Sequence, residues 1–288
     1  MEKSIEKDSM SLIQVGLVDT TGKLDPELVQ SVASALNIQV MQHLPRFWNV
    51  QATVSALPHA GKIPAGVWPV RLVASLPPGE GGVHMDQHNQ PYSKVIATPE
   101  SDEWTIDASH ETLEMLVDPY GNRLQSSLAI AISGNGVKDT SGQFNYLVEA
   151  CDPCEGDQFA YTIQGVAVSD FITPHFYDSA PSAGTQYSYT GAIKYPRDLL
   201  QGGYISFIDM ETNEWQQILW VNPGPPVLND LGPAPAGQSL RTWVDAKVAE
   251  YKQRTKFKRK LNNGLLTAAR KHREKLTKIA ALRAKRFD

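Results

Sequence analysis

Residues 107–122 read DASHETLEMLVDPYGN, and whether they form a helix with chemistry on one face decides how the rest of the chain is read. His110, Glu111 and Glu114 stand as H-E-x-x-E, one residue away from H-E-x-x-H, in which two imidazoles grip a metal ion and the glutamate handles a proton. On a helix His110 and Glu114 fall one turn apart, ~6 Å along the axis, near enough to hold one ion. Glu111, turned by about 100° and adjacent, is placed to take a proton from a metal-activated water. The plainer alternative is an amphipathic helix with Leu113, Leu116 and Val117 inward and His110, Glu111 and Glu114 in water. Asp102 or Asp107 is the cap candidate at its start. At its end Asp118 precedes Pro119 and is pushed out of the helical region, so Val117 is near the last helical residue.

Working backwards, YSKVIAT (92–98) alternates polar and apolar residues as a half-exposed edge strand does. A peptide could add to such an edge as a further strand, which makes Tyr92, Ser93, Lys94 and Val95 candidate substrate contacts. Residues 77–91, PPGEGGVHMDQHNQP, read as a loop. In it His84 and His88 have a helical ligand spacing that means little without a helix, so substrate contact or plain solvation competes with a metal role. Further upstream, LIQVGLVD (12–19), NVQATVSAL (49–57) and WPVRLVASL (68–76) read as strands. Between the first two lies a helix opened by Asp25 and Pro26, with Leu28, Val32, Leu36, Val40 and Leu44 four apart, running to about His43 or Arg46.

Working forwards, YLVEACDPCEGD (146–157) brings an apolar run into an acidic cluster. Glu149 and Asp152 can approach the helix from another segment as third ligand and supporting partner. Asp118, ~12 Å along the axis from His110, ligates the same ion only if the chain turns back at Pro119. A solvated turn or a separate hard-cation loop is the alternative for this cluster, to which Glu155 and Asp157 also belong. FAYTIQGVAVSDFITPHFYD (159–178) reads as a hairpin turning at Gln164-Gly165. His175 is a candidate late ligand, and Tyr161, Tyr187 and Tyr189 are candidate oxyanion donors.

The runs SHETLEMLVDPYGN and YLVEACDPCEGDQFAYTIQGVAVSDFITPHFYD, with LNIQVMQHLPRFWNVQATV and GGVHMDQHNQPYSKV before them, resemble a group of poorly characterised bacterial and phage proteins with a zincin-like metallopeptidase domain. The resemblance covers roughly residues 12–178. It implies a zincin fold with a catalytic helix under an edge strand, His110 and Glu114 as ligands and Glu111 as base. The expected fold class is therefore α+β, a zincin-like domain at 10–178 with a mixed twisted sheet, an N-terminal helix and an active-site helix. The expected activity is a metal-dependent hydrolase acting on a peptide or protein. Zinc is the first expectation for the metal, while one imidazole with several carboxylates also suits calcium or manganese.

Composition bounds these readings. The 288 residues, 41% hydrophobic and 20% charged, suffice for one large core or two small ones. Two cysteines, Cys151 and Cys154, exclude a disulfide-dense scaffold and read as reduced thiols near a turn or half of a metal site. No run approaches the ~18 apolar residues of a membrane span, and MEKSIEKDSMSLIQ lacks the basic start and apolar stretch of a secretory signal. A cytoplasmic or virion-associated protein is expected. Residues 179–239 read as a Pro/Gly-rich irregular extension, with 223–237 as a linker.

Charge divides the chain sharply. Residues 240–288 carry 16 Lys+Arg and 4 Asp+Glu, about +12, against about −16 for residues 1–239. The basic helical tail at 240–288, broken at Asn262–Gly264, suits nucleic acid, an anionic membrane or an acidic protein surface, including this chain's own body. Only Phe257 and Phe287 interrupt its stretch 252–287 with aromatics, so nucleic acid would be held through phosphates. The competing function is thus a non-catalytic interaction or virion-associated protein that keeps a degenerate zincin-like fold and works through this tail.

Overall fold

β1 (Ile13–Asp19) is buried along most of its length, as a strand with parallel neighbours on both sides must be. The fold was determined as a computed structural model and is described for residues 12–284 except Ala60 and Gln238. The expected signal-free start at residues 1–11 and Phe287 in the tail lie outside the described residues. After β1, the Asp25 side chain accepts the Glu27 amide and Pro26 opens α1 (Pro26–Ile38). The helical path continues to Arg46, but at Gln39 it widens into a π turn and then tightens into a 3-10 turn. The widening lets the buried Gln39 side chain leave the helix axis, where it accepts from Ser109 and donates to Tyr161 and the Ser169 carbonyl.

β2 (Ala52–Leu57) and β3 (Val67–Val73) flank β1 in parallel. Next come β4 (Gly82–Gln87) and β5 (Gln90–Ile96), an antiparallel hairpin, and the five strands stand in the order β2-β1-β3-β5-β4. The edge is therefore β4, within the stretch expected to be a loop, and 92–96 lies one strand inside it, paired on both sides. The cause is the two-residue turn His88-Asn89, both at positive φ (54° and 60°), the hairpin geometry that matches strand twist. Tyr92, Ser93, Lys94 and Val95 consequently have no free ladder for a substrate chain. Ser93 and Val95 are fully buried, with Ser93 Oγ donating to the Glu111 carbonyl.

α2 (Trp104–Val117) follows, and its exit is the expected one: Asp118 leaves the helical region at φ −132° before Pro119. It is not a helix with one wet face. Every residue from Ala108 to Val117 is buried, because the helix is enclosed by the first sheet and α1 on one side and by later segments on the other.

A second five-stranded sheet holds β6 (Leu124–Ile132) and β7 (Val137–Leu147), a long hairpin, joined to strands from further on. Between them in sequence, β8 (Tyr161–Ile163) and β9 (Val166–Val168) form a separate hairpin through Gln164-Gly165, as expected. The stretch 179–239, expected to be irregular, supplies β10 (Tyr204–Asp209), β11 (Glu214–Leu219) and β12 (Val227–Gly232), completing the order β12-β11-β10-β7-β6. β12 lies inside 223–237: its proline and glycine neighbours bound a short alternating strand instead of marking a flexible linker.

α3 (Leu240–Arg254) and α4 (Asn263–Ala284) close the chain. α3 packs Trp243 and Val244 against Trp215 and Leu147, and Val248 against Tyr204 and Leu219. α4 lies on the β8/β9 hairpin, where Arg273 Nη1 donates to the Gly165 carbonyl. The architecture is α+β with mixed sheets, and among the described residues no helix is long and apolar enough to cross a membrane.

Candidate metal centre

Four pieces of chain meet at one buried point. α2 contributes His110, Glu111 and Glu114, β4 contributes His84, the turn after β7 contributes Glu149 and Asp152, and α3 contributes Arg241 and Asp245. His110 Nε2 stands 3.3 Å from Glu114 Oε1 and 3.1 Å from Asp152 Oδ1. His84 Nδ1 stands 3.6 Å from Glu111 Oε2 and 3.6 Å from Glu114 Oε2. Asp152 reaches inward because Pro153 and the following 3-10 turn fix the chain just beyond it.

Arg241 is the centre's cation. Nη2 donates to Glu114 Oε2 at 2.7 Å, Nη1 to Glu149 and, at 3.4 Å, to Asp152, and Nε to Asp245 Oδ2 at 2.8 Å. One guanidinium cannot neutralise five carboxylates in a low-dielectric pocket. Burial pushes the Glu149 carboxyl well above its ordinary range in spite of Arg241. Asp245 is likewise pushed up by burial, to about 7. Burial would also raise Glu114 and Asp152, but Arg241 outweighs it and holds both below the ordinary range. His110 goes the other way: burial opposes its charge, yet Glu114 and Asp152 win and hold its pKa well above the usual value.

Several buried polar atoms here lack hydrogen-bond partners: both His84 ring nitrogens, Glu111 Oε2, Glu149 Oε2 and Asp152 Oδ1. Such orphans are uncommon in folded proteins. Three overlapping sets bring ligand atoms within 4.8 Å of one another: His110, Glu114 and Cys151; His84, Glu111 and Glu114; His110, Asp152 and Glu155. Imidazole, carboxylate and thiol donors around a surplus of negative charge fit a divalent cation. A cleft of about 750 Å³ leads to the centre, with His110, Glu111, Asp152 and Arg241 among its walls.

His110, Glu111, Glu114, Glu149 and Asp152, expected as metal or proton-handling groups, therefore converge. Asp118 does not join them, and its carboxylate accepts the Arg123 amide at 2.8 Å, closing the turn after α2. Glu155 pairs with Lys252 and Asp157 with Arg259, so both hold the tail. His175 pairs with Asp178 at the surface. Tyr161 and Tyr189 pack around His43, and Tyr187 accepts the Ser182 amide. Both cysteines are free and buried, and burial pushes their thiols up. The Cys151 amide donates to Glu114 Oε1 at 3.1 Å.

Arg241 and Asp245 stand in no motif of the sequence, and His84 lies in a stretch whose glycines and prolines predict a loop. One signal for Arg241 was present: a cation in the first turn of a helix opposes the helix dipole and needs acids elsewhere. Comparison with known proteins found no matching family model, no matching curated protein and no matching solved structure.

Proposed function

We propose that the protein is a metal-dependent hydrolase of the zincin type acting on peptide bonds, with His110, Glu114 and Asp152 as the ligands of a divalent ion and zinc as the first candidate. The observation that carries this reading is the buried surplus of carboxylates around His110, with partnerless donors facing one another at the head of a cleft. A divalent ion held there would supply Lewis acidity toward a carbonyl. Glu111, which lines the cleft beside His110, takes the proton from the attacking water and returns it to the leaving amine. Among the described residues the edge strand β4 has a ladder partner only in β5, which suits an extended substrate adding alongside α2. The test is metal analysis together with peptide hydrolysis. Purified protein should carry a divalent ion that His110→Ala loses, and Glu111→Gln should keep the His110-held ion while losing hydrolysis; absence of any bound ion would sink the reading.

A second reading, a non-catalytic interaction protein working through its basic tail, is favoured by one observation. Lys256, Lys258 and Lys260 are exposed, and none has a carboxylate within ion-pair distance among the described residues. Binding of nucleic acid or an acidic protein that falls steeply with salt and disappears on their replacement by alanine would support it.

A further inference from the structure

His84 is 2% exposed, and neither ring nitrogen has a hydrogen-bond partner. A neutral imidazole buried without partners forgoes the hydrogen bonds it would make in water, a cost that folded proteins rarely leave uncompensated. Its Nδ1 instead faces two carboxylate oxygens, Glu111 Oε2 and Glu114 Oε2, each 3.6 Å away. That separation is too long for a hydrogen bond. It suits donor atoms on neighbouring corners of one cation's coordination shell, whose metal–ligand distances are about 2.0–2.2 Å for a zinc-like ion.

We infer that His84, Glu111 and Glu114 form a second divalent-cation site, between the edge strand β4 and α2, separate from the one at His110. The inference rests on the reading of α2 as the metal-bearing helix and makes the centre a two-ion one. Glu114 is the shared ligand: Oε1 faces His110 and Oε2 faces His84. Among the described residues the two imidazoles fall in different sets of mutually close ligand atoms, so each is assigned its own ion. Charge agrees. Glu111, Glu114, Glu149, Asp152 and Asp245 crowd around the single guanidinium of Arg241, so carboxylates outnumber arginines where the ions would sit. Glu111 meets the second ion through Oε2. Its other oxygen, Oε1, lies close against Gly82, where a Cβ would come within 2.7 Å, and stays at the cleft to take a proton. Glycine at 82 is thus what lets the Glu111 carboxylate sit between strand and helix.

The experiment is metal stoichiometry on the full-length protein after equilibrium dialysis against zinc, read by elemental analysis, with anomalous diffraction from zinc-soaked crystals. The wild-type protein should hold two ions per chain. His84→Leu should hold one, and Glu111→Gln, which preserves shape if the leucine variant fails to fold, should also hold one. An anomalous peak beside His84 Nδ1 should vanish in both. One ion per chain that His110→Ala removes but His84→Leu and Glu111→Gln leave untouched would overturn this site and spare the hydrolase reading. One ion that His84→Leu removes and His110→Ala leaves would keep this site and overturn the other. No ion in the wild type would end both.

Discussion

Arg241 donates to Glu114 across 127 residues of sequence, Nη2 to Oε2 at 2.7 Å, so the last part of the chain reaches into the heart of the first. The bond is buried at both ends, with Arg241 4% and Glu114 1% exposed. Removing one member of such a pair leaves the other charged and stranded. Arg241→Ala should lower unfolding stability by about 3–5 kcal/mol, measured by urea denaturation without metal. Added zinc should restore part of the loss, because the stranded carboxylates then have a cation.

Gly121 lies against the same side chain. It has φ +60°, and a Cβ there would collide with the Cβ of Arg241. Gly121→Ala should therefore cost more than the roughly 1 kcal/mol of an alanine forced into left-handed backbone. Weaker zinc binding in a dialysis assay should accompany the loss, since Arg241 must shift among the ligands.

The basic tail is bound to the body by identifiable pairs. Arg273 and Arg270 both reach Asp102 Oδ2, at 2.8 and 3.2 Å, and Arg259 joins Asp107 to Asp157. Burial raises the Asp102 pKa, but the two arginines outweigh it and hold the carboxyl below its ordinary range. Asp102→Asn should free α4 by roughly 1–3 kcal/mol, the worth of hydrogen bonds to a charged group. Hydrogen exchange should show α4 amides losing protection while α2 keeps its own.

His43 offers a pH test away from the metal centre. Its ring stacks on Tyr189 at 4.5 Å, and Nδ1 lies 2.9 Å from the Tyr161 hydroxyl. Burial first, and Arg46 second, lower its pKa from the ordinary 6.5. The unfolded chain then binds the proton more readily than the folded one. The stability His43 contributes is full above pH 6.5 and is lost as pH falls through the depressed folded value. His43→Gln should flatten this part of the stability profile relative to wild type, measured by thermal unfolding in steps between about pH 5 and pH 7.

The helix bearing His110 and Glu114 was legible because a spacing of four and a terminating Asp-Pro are local signals. The β8/β9 turn at Gln164-Gly165 was legible for the same reason. The β4/β5 hairpin was not, since histidine stands at the first turn position where asparagine or glycine would have announced φ > 0. That one turn moved the edge from 92–98 to 82–87 and brought His84 onto a strand. Burial of α2 on all sides was also unreadable, because beside its neighbour β5 it packs on β4, β9, β3 and α1, none of them adjacent to it in sequence. Arg241 was hidden by its surroundings: in a tail with 16 cations, charge alone did not distinguish the one turned inward.

The separation between Arg241 and Glu114 also sets an order of events during synthesis. His84, His110, Glu111, Glu114, Glu149 and Asp152 all leave the ribosome before Arg241 does. Until α3 is made and docks through Trp243 and Val244, these acids and imidazoles lack the Arg241 guanidinium as a partner. On the proposed metal reading, an ion present during translation would reach these residues before Arg241 does.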